Sequence, residues 1–315
     1  MTTTTQTNRT FIEEQQYSQF ILRNMQDGLL PENFYRDVSD FGSGEVLNIK
    51  SIGEATLQEV SEDVALTYNP IESGQVQLRI TDYPGDAWYI TDKMRQDGAQ
   101  IEALMAARAQ ESTRALQEYF EVQAFKTLND AQTDGDANVI NNFAHRIASA
   151  ESDNVATLAH FRKMKLAFDK AEVPYGGRIA IVDPVVADTM YAVFHGTGNV
   201  DSNPTMQEIL EGGFGRDHEF VMNIAGWNIM TSNRLPKGTF GDGTTTVENG
   251  VANLFLSVAG DNEKSLMVAW RQQPRVEGER NKDRQRDEFV HTARMGFGAQ
   301  RVDTLGVLVT SAVNS

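Results

Sequence analysis

Apolar residues recur at helical spacing through 97–130, DGAQIEALMAARAQESTRALQEYFEVQAFKTLND, and this pattern predicts one long helix. From Ala99 to Asn129 it contains neither Pro nor Gly, and it is rich in Ala, Leu, Glu, Gln, Arg and Met, the residues that lose least on entering a helix. Asp97, with Gln100 three residues on, makes an Asp version of the capping box and marks the start. Thirty-one residues at about 1.5 Å each give a rod of roughly 46 Å, well beyond an ordinary helix. Its stripe is Ile101, Met105, Leu116, Phe120 and Leu128, filled between by Ala109, Ser112 and Ala124 and flanked by Ala103, Ala106, Ala107 and Ala115. Close packing is therefore expected at the middle, with Ala106 and Ala109 intolerant of large residues. Arg108, Glu111, Arg114, Glu118 and Glu121 form the wet side. Large residues do not keep a strict heptad, which disfavours a coiled coil.

Around this rod the pattern changes repeatedly. Phe11 to Met25 is an amphipathic helix candidate on a Thr-rich, polar arm, stopped by Asp27-Gly28 and Pro31. From 45 to 91 the runs EVLNIKSI, ATLQEV, DVALTY, QVQLRI and DAWYIT read as a β-hairpin region, too polar to bury both faces and in need of a partner surface. After the rod, ASAESDNVATLAHFRKMKLAFDKAEVP predicts a second helix carrying Leu158, Phe161, Leu166 and Phe168. RIAIVDP is a wholly apolar, buried strand, PVVADTMYAVFH a helix begun by Pro184, and TMQEILEGG a short helix ending in glycines. GWNIMTSNRLP reads as a strand leading into a Gly/Thr loop over 236–250. ANLFLSVAG, SLMVAWRQQPRV, FVHTARMGFGAQRV and LGVLVTSAV are the remaining strands. There is no internal repeat.

Composition narrows the classes. The chain has 315 residues, 40% hydrophobic and 23% charged, an ordinary globular balance. No run of eighteen apolar residues exists, and the N-terminus lacks the basic start and apolar core of a signal peptide. The absence of Cys removes disulfides, thiolate metal sites and Cys nucleophiles. A net charge of −16 argues against a dedicated nucleic-acid binder, while an acidic surface keeps a neighbouring polyanion from sticking.

Chemistry is scarce. His145, His160, His195, His218 and His291 are widely spaced, without the pattern of a zinc site. Asp217-His218-Glu219 is the one place where His adjoins carboxylates, but sequence neighbours point in different directions. The Gly clusters HGTGN, EGGFGRD and KGTFGDGTTT match neither a phosphate loop nor a dinucleotide fingerprint, and no serine-hydrolase elbow occurs. The densest charge is RVEGERNKDRQRDE, 275–288, where ten of fourteen residues are charged with both signs mixed. Two readings stand: a solvated hairpin tip, or ion pairing between subunits through Arg275, Glu277, Arg280, Asp283, Arg284, Arg286 and Glu288.

The order of parts resembles the major capsid proteins of tailed double-stranded DNA bacteriophages, the Hong Kong-type capsid fold. LPENFYRDVSDFGSGEVLNI looks like the end of an N-terminal arm entering an extended E-loop, 97–130 like the spine helix, and RIAIVDP with PVVADTMYAVFH like the entrance to the axial domain. SLMVAWRQQPRV and FVHTARMGFGAQRVDTLGVLVTS are similar to closing peripheral-domain strands, with Met-Gly-Phe-Gly-Ala before the last. The resemblance implies an α+β phage capsid fold. Its parts are an arm at 1–44, an E-loop at 45–91, a first peripheral part at 92–178, an axial domain at 179–265 and closing peripheral strands at 266–315.

Its implied function is structural, not enzymatic, and uses no cofactor or metal. Hexamers and pentamers of the chain form an icosahedral shell around double-stranded DNA, located in the virion and assembled in the host cytoplasm, with no membrane. Implied partners are further copies, a separate scaffolding protein, a portal and a decoration protein. Lys50, the only Lys between residues 1 and 92, is a ribbon candidate for subunit contact or Lys–Asn crosslinking, and Phe11 and Phe20 are arm candidates. The alternatives are an encapsulin-type nanocompartment shell, and a cytosolic α/β enzyme with a site near Asp183, His195 and His218.

Overall fold

The computed structural model describes residues 32–40, 44–52, 57–60, 70, 73–97, 101–132, 139–195 and 222–312. The expected helices at 11–25 and 205–213, together with Phe11 and Phe20, lie outside these residues. From β1 (Tyr35–Asp37) the chain passes through β2 (Val46–Ile52), β3 (Ser73–Arg79) and β4 (Gly85–Thr91) into α1 (Asp92–Asp97) and α2 (Ile101–Asp130). Next come β5 (Val139–Ile140), β6 (Phe143–Ala144), β7 (Arg146–Ala148), α3 (Leu158–Lys170), β8 (Arg178–Val182) and α4 (Pro184–His195). Then follow β9 (Met222–Ile224), β10 (Trp227–Thr231), β11 (Lys237–Gly241), β12 (Thr246–Ser257), β13 (Leu266–Asn281), β14 (Arg286–Ala299) and β15 (Leu305–Ser311).

Two sheets share α2. One has the order β1-β13-β14-β4, and the other β7-β15-β12-β8-β10-β9 with β11 beside β12. Phe120 lies at the junction, stacked on Trp270 of β13 at 5.5 Å and edge-on to Phe297 of β14 at 5.1 Å and Tyr35 of β1 at 5.8 Å. Ala124, Phe125 and Leu128 share the same core with Ile179, Ile181, Leu254, Leu256, Val307 and Val309 of the second sheet. The alternate residues Ala180, Val182, Phe255 and Leu308 face the other way, onto Phe161, Met164 and Phe168 of α3 and Val186, Ala187 and Met190 of α4. β8 is therefore buried along its whole length, with Ile179–Val182 apolar because both faces are covered.

Several expectations change. Asp97 ends the separate helix α1, so the first residue of the long helix that the structure describes is Ile101. The small-residue prediction splits, with Ala109 fully buried against Val276 and Ala106, Ala107 and Ala115 exposed. Leu158 and Leu166 also face outward, while Met164 and Ala167 join Phe161 and Phe168 inside. DAWYIT is not part of the ribbon, because β4 pairs with β14 in the first sheet. The end of the arm is core, since Phe34 and Tyr35 are buried and β1 runs parallel to β13. Hydrogen bonding also crosses the boundary expected at 266, because β15 pairs with β12 and β7 in the second sheet.

The Gly/Thr loop at 236–250 is a hairpin, β11 against β12. Its turn is held by Asp242, whose Oδ1 accepts the amides of Thr244 and Thr245 at 2.9 and 2.7 Å. Oδ2 of the same residue accepts Ala148 N at 3.0 Å, tying the turn to β7. Burial raises the Asp242 carboxyl, but these amide donors outweigh it and hold it below the usual carboxylate range.

The buried and exposed alanines of α2 give a direct test. Ala109→Phe is expected to destabilise the subunit by about 1–3 kcal/mol through overpacking. Ala106→Phe should stay within about 0.5 kcal/mol. Urea unfolding of dissociated subunits measures both, and equal midpoints would refute the packed-face assignment.

Candidate assembly surface

β2 and β3 form an antiparallel ribbon, with Leu47 opposite Leu78 and Ile49 opposite Val76. These four turn one apolar face toward Met267 and Ala269 of β13. The opposite face carries Asn48, Lys50, Gln75, Gln77 and Arg79, all exposed, with Lys50 paired in register to Gln75. Further along the connection, Leu57 is 99% exposed and Val60 73% exposed, large apolar side chains left uncovered among the described residues. The ribbon base sits hard on β14. A Cβ on Gly296 would lie 2.5 Å from Arg79 O and 2.9 Å from Ile80 Cα, and one on Gly298 would meet Leu78 Cδ1 at 2.8 Å. The Met-Gly-Phe-Gly-Ala string is thus a seat for the ribbon, where backbone approaches backbone too closely for a side chain.

A polar clamp fixes α2 across β4. Arg108 donates to both carboxylate oxygens of Asp86, at 2.9 and 2.8 Å, and Ser112 Oγ donates to Oδ2 at 2.6 Å. On the same side of the sheet, Trp88 Nε1 donates to His291 Nε2 at 2.9 Å, so the buried imidazole carries its proton on Nδ1. Trp88 also stacks on Phe289 at 4.4 Å. Trp88, Tyr89, Ile90, Met94, Met105 and Arg108 line a shallow groove of about 250 Å³ here. Tyr89 and Met94 at its rim are exposed.

The mixed-charge segment is the β13–β14 hairpin, closing at Asn281 opposite Arg286. Arg280 reaches Asp92 of α1 at 2.6 Å and Asp287 at 3.2 Å, and Arg95 of α1 takes the other oxygen of Asp287 at 2.6 Å. Glu288 accepts from Arg286 Nε at 2.6 Å and Asn281 Nδ2 at 3.1 Å. The hydrogen bond from Arg280 holds the Asp92 carboxyl below its usual value, and Arg286 does the same for Glu288. Arg275 pairs with Glu277, while Asp283 and Arg284 stand exposed in the turn.

The structure thus gathers Arg280 into a network with Asp92, Asp287 and Arg95, pairs Arg286 with Glu288 separately within the chain, and leaves Lys50 apart on the ribbon. Sequence reasoning missed Asp92, Arg95 and Asp287 as members of that network. Asp92 on α1 lies 188 residues from Arg280 along the chain, and no local pattern links them. Each exposed pair contributes about 0–1 kcal/mol, so the network sets register more than it holds the fold.

Among the described residues no catalytic geometry is brought together. Asp183 caps α4, its Oδ2 accepting Val185 N at 3.1 Å, and its own amide is bound by buried Asn253 at 2.8 Å. His218 and the side chain of His195 lie outside the described residues. Among the described residues there is no group of three or more His, Asp or Glu that could hold a metal ion. No described helix is long and apolar enough to cross a membrane.

A family model described as phage capsid protein matches residues 74–310. The capsid structure of the cyanophage P-SCSP1u is similar with a TM-score of 0.65 and 16% identity, covering 92% of this chain and 90% of that one. The mature capsid of bacteriophage PhiM1 gives a TM-score of 0.66 at 12% identity, covering 91% and 88%. The virus-like particle from Pyrococcus furiosus gives 0.53 at 11% identity, covering 94% and 99%. Comparison with curated proteins gives no match. At these identities the structural likeness shows a shared fold, the mixed helix and sheet architecture of phage capsids.

Two predictions test this surface. Gly296→Ala is expected to lower subunit stability by about 1–3 kcal/mol and loosen the ribbon, read as faster hydrogen exchange over 73–80. The second concerns His291, whose imidazole burial pushes below its ordinary 6.5, with Asp86 opposing and Arg108 adding. The unfolded chain then takes up the proton first, so this stability is present above pH 6.5 and lost as pH falls through it. His160, also lowered by burial, acts in the same direction. Melting temperature should fall from about pH 7 to about pH 5. His291→Gln, which keeps an acceptor for Trp88, should flatten that fall; an unchanged slope would refute the assignment.

Proposed function

The chain belongs to the phage capsid protein family, and on that premise we propose that it is a major capsid protein assembling as hexamers and pentamers into an icosahedral shell around double-stranded DNA. The observation that carries this reading is the ribbon. One of its faces is bound to β13, its other face is polar, and Leu57 and Val60 have no cover among the described residues. A soluble monomer gains nothing from such an extension, whereas a neighbouring copy buries it at about 25 cal/mol per Å² of apolar surface. The net charge of −16 supports a container whose walls repel the polyanion they enclose. In this reading a separate scaffolding protein, a portal and a decoration protein complete the particle. The hairpin residues Arg275, Glu277, Arg280, Asp283, Arg284, Arg286 and Glu288 add contacts between copies, as do Lys50 and the arm residues Phe11 and Phe20.

A second reading, a nanocompartment shell enclosing protein cargo, draws on the likeness to the virus-like particle from Pyrococcus furiosus over nearly all of both chains. The match to the phage capsid family favours the first.

Purified protein is expected to run as large particles by size exclusion and to appear as closed shells in negative stain. Particles recovered from the natural source should contain double-stranded DNA. A monomer or dimer under all conditions would overturn the shell reading, and a protein cargo without DNA would select the second.

A further inference from the structure

Helix α3 turns Phe161, Met164 and Phe168 into the core and presents Ala159, Arg162, Lys163, Leu166 and Lys170 outward, the spacing of a single face. Lys165 lies beside them, with its Nζ over the Gly226 turn between β9 and β10. Four cations thus crowd a helix of thirteen residues in a chain whose net charge is −16. Asp169, the helix's own carboxylate, is taken by Arg178 at 2.6 Å. Among the described residues no carboxylate pairs with Arg162, Lys163 or Lys165, in contrast to Arg280 and Arg286 at the hairpin tip, which are both paired. Leu166 stands 46% exposed in the middle of the cations, and Tyr175 beyond the helix end is 73% exposed.

This surface fits a protein better than a nucleic acid. Phosphates satisfy cations but give Leu166 and Tyr175 nothing apolar to touch, whereas an acidic protein surface supplies both kinds of contact. Every copy also exposes the carboxylates Glu151, Asp153, Glu172 and Glu248. These carry no ion pair among the described residues. A contact about a two-fold axis would set α3 against its own image, cation against cation, at a repulsive cost. A head-to-tail contact avoids this and closes into a ring. We propose that the outer face of α3 is a heterologous contact that seats on the acidic surface of a second copy of this chain. The inference rests on the shell reading above.

The test uses the full chain with Arg162→Glu and Lys163→Glu together, circular dichroism to verify folding, and light scattering with negative stain to find the threshold concentration for assembly. Folded subunits whose threshold rises about tenfold or more are expected, with Arg162→Lys/Lys163→Arg behaving as wild type. Lys163→Gln alone, a mild surface change, should raise the threshold by a smaller factor, so the inference stays testable if the double reversal misfolds. Thresholds unchanged from wild type overturn it. Normal shells that have lost only their DNA, or only a co-purifying second protein, overturn it too, by giving this face to another partner. A wild-type chain that forms no particles overturns the shell reading together with this inference; wild-type particles with unaffected variants overturn this inference alone.

Discussion

The structure depends on a single helix closing two sheets at once. α2 is thirty residues long, and its buried stripe contributes side chains to one continuous core that includes residues of both sheets. Phe120 carries much of this, because it touches Trp270 and Phe297 on one side while its own turn leads to Ala124, Phe125 and Leu128 under the other sheet. Truncating such a ring in a core costs about 3–5 kcal/mol, a large share of the stability of any domain. The small residues on the stripe matter for the same reason. Ala109, Ser112 and Ala124 let sheet and helix approach closely, and Ser112 then returns a hydrogen bond to Asp86 in place of apolar volume.

Polar clamps fix the two ends of this helix. Near its beginning Arg108 and Ser112 hold Asp86 on β4. At its end the buried Arg146 of β7 donates to Asn129 Oδ1 at 3.2 Å, to Gln132 O at 2.7 Å and to Gly241 O at 2.6 Å. Burial lowers that guanidinium below its ordinary value, with Asp242 and Asp130 opposing. Spending its donors on two carbonyls and an amide is what makes a buried cation tolerable there. One side chain thereby joins helix end, second sheet and β11–β12 hairpin. Orientation between the sheets is set by directional bonds, and the apolar core supplies the adhesion.

Much of this was legible in the residues, and the misses have physical causes. A thirty-residue run of helix formers and the apolar IAIV segment after Arg178 are each decided locally, so both elements are legible in the residues, although the start of the helix is not. The Gly/Thr stretch at 236–250 was read as a loop because composition speaks for turns, yet its edge strand is held by pairing to β12 and by Asp242, which composition does not show. DAWYIT has the alternation of a ribbon strand, but its partner β14 is two hundred residues away along the chain. Ala106 and Ala109 differ by three positions on one helix, and only the register of β13 decides that Ala109 meets Val276. The candidate contact residues fared similarly: their charges were evident, and their partners on α1 were not.

Contrast between the core and the periphery bears on how a shell is built. Inside, Arg178 and Arg146 are buried with their donors spent on oxygens of their own chain, so their bonds survive a change of partner or of salt. Outside, the cations of α3 are solvated, and the ion pairs of the hairpin contribute about 1 kcal/mol or less each and weaken as salt rises. Between copies of the proposed shell, weak contacts of this kind would permit errors in packing to dissociate before a closed particle traps them. In the proposed rings, repetition would multiply such contacts into a stable whole, because every copy would have to break contacts on two sides to leave. A rigid subunit bearing soft, charged edges satisfies both demands, whereas a large apolar interface would bind early mistakes as firmly as correct neighbours.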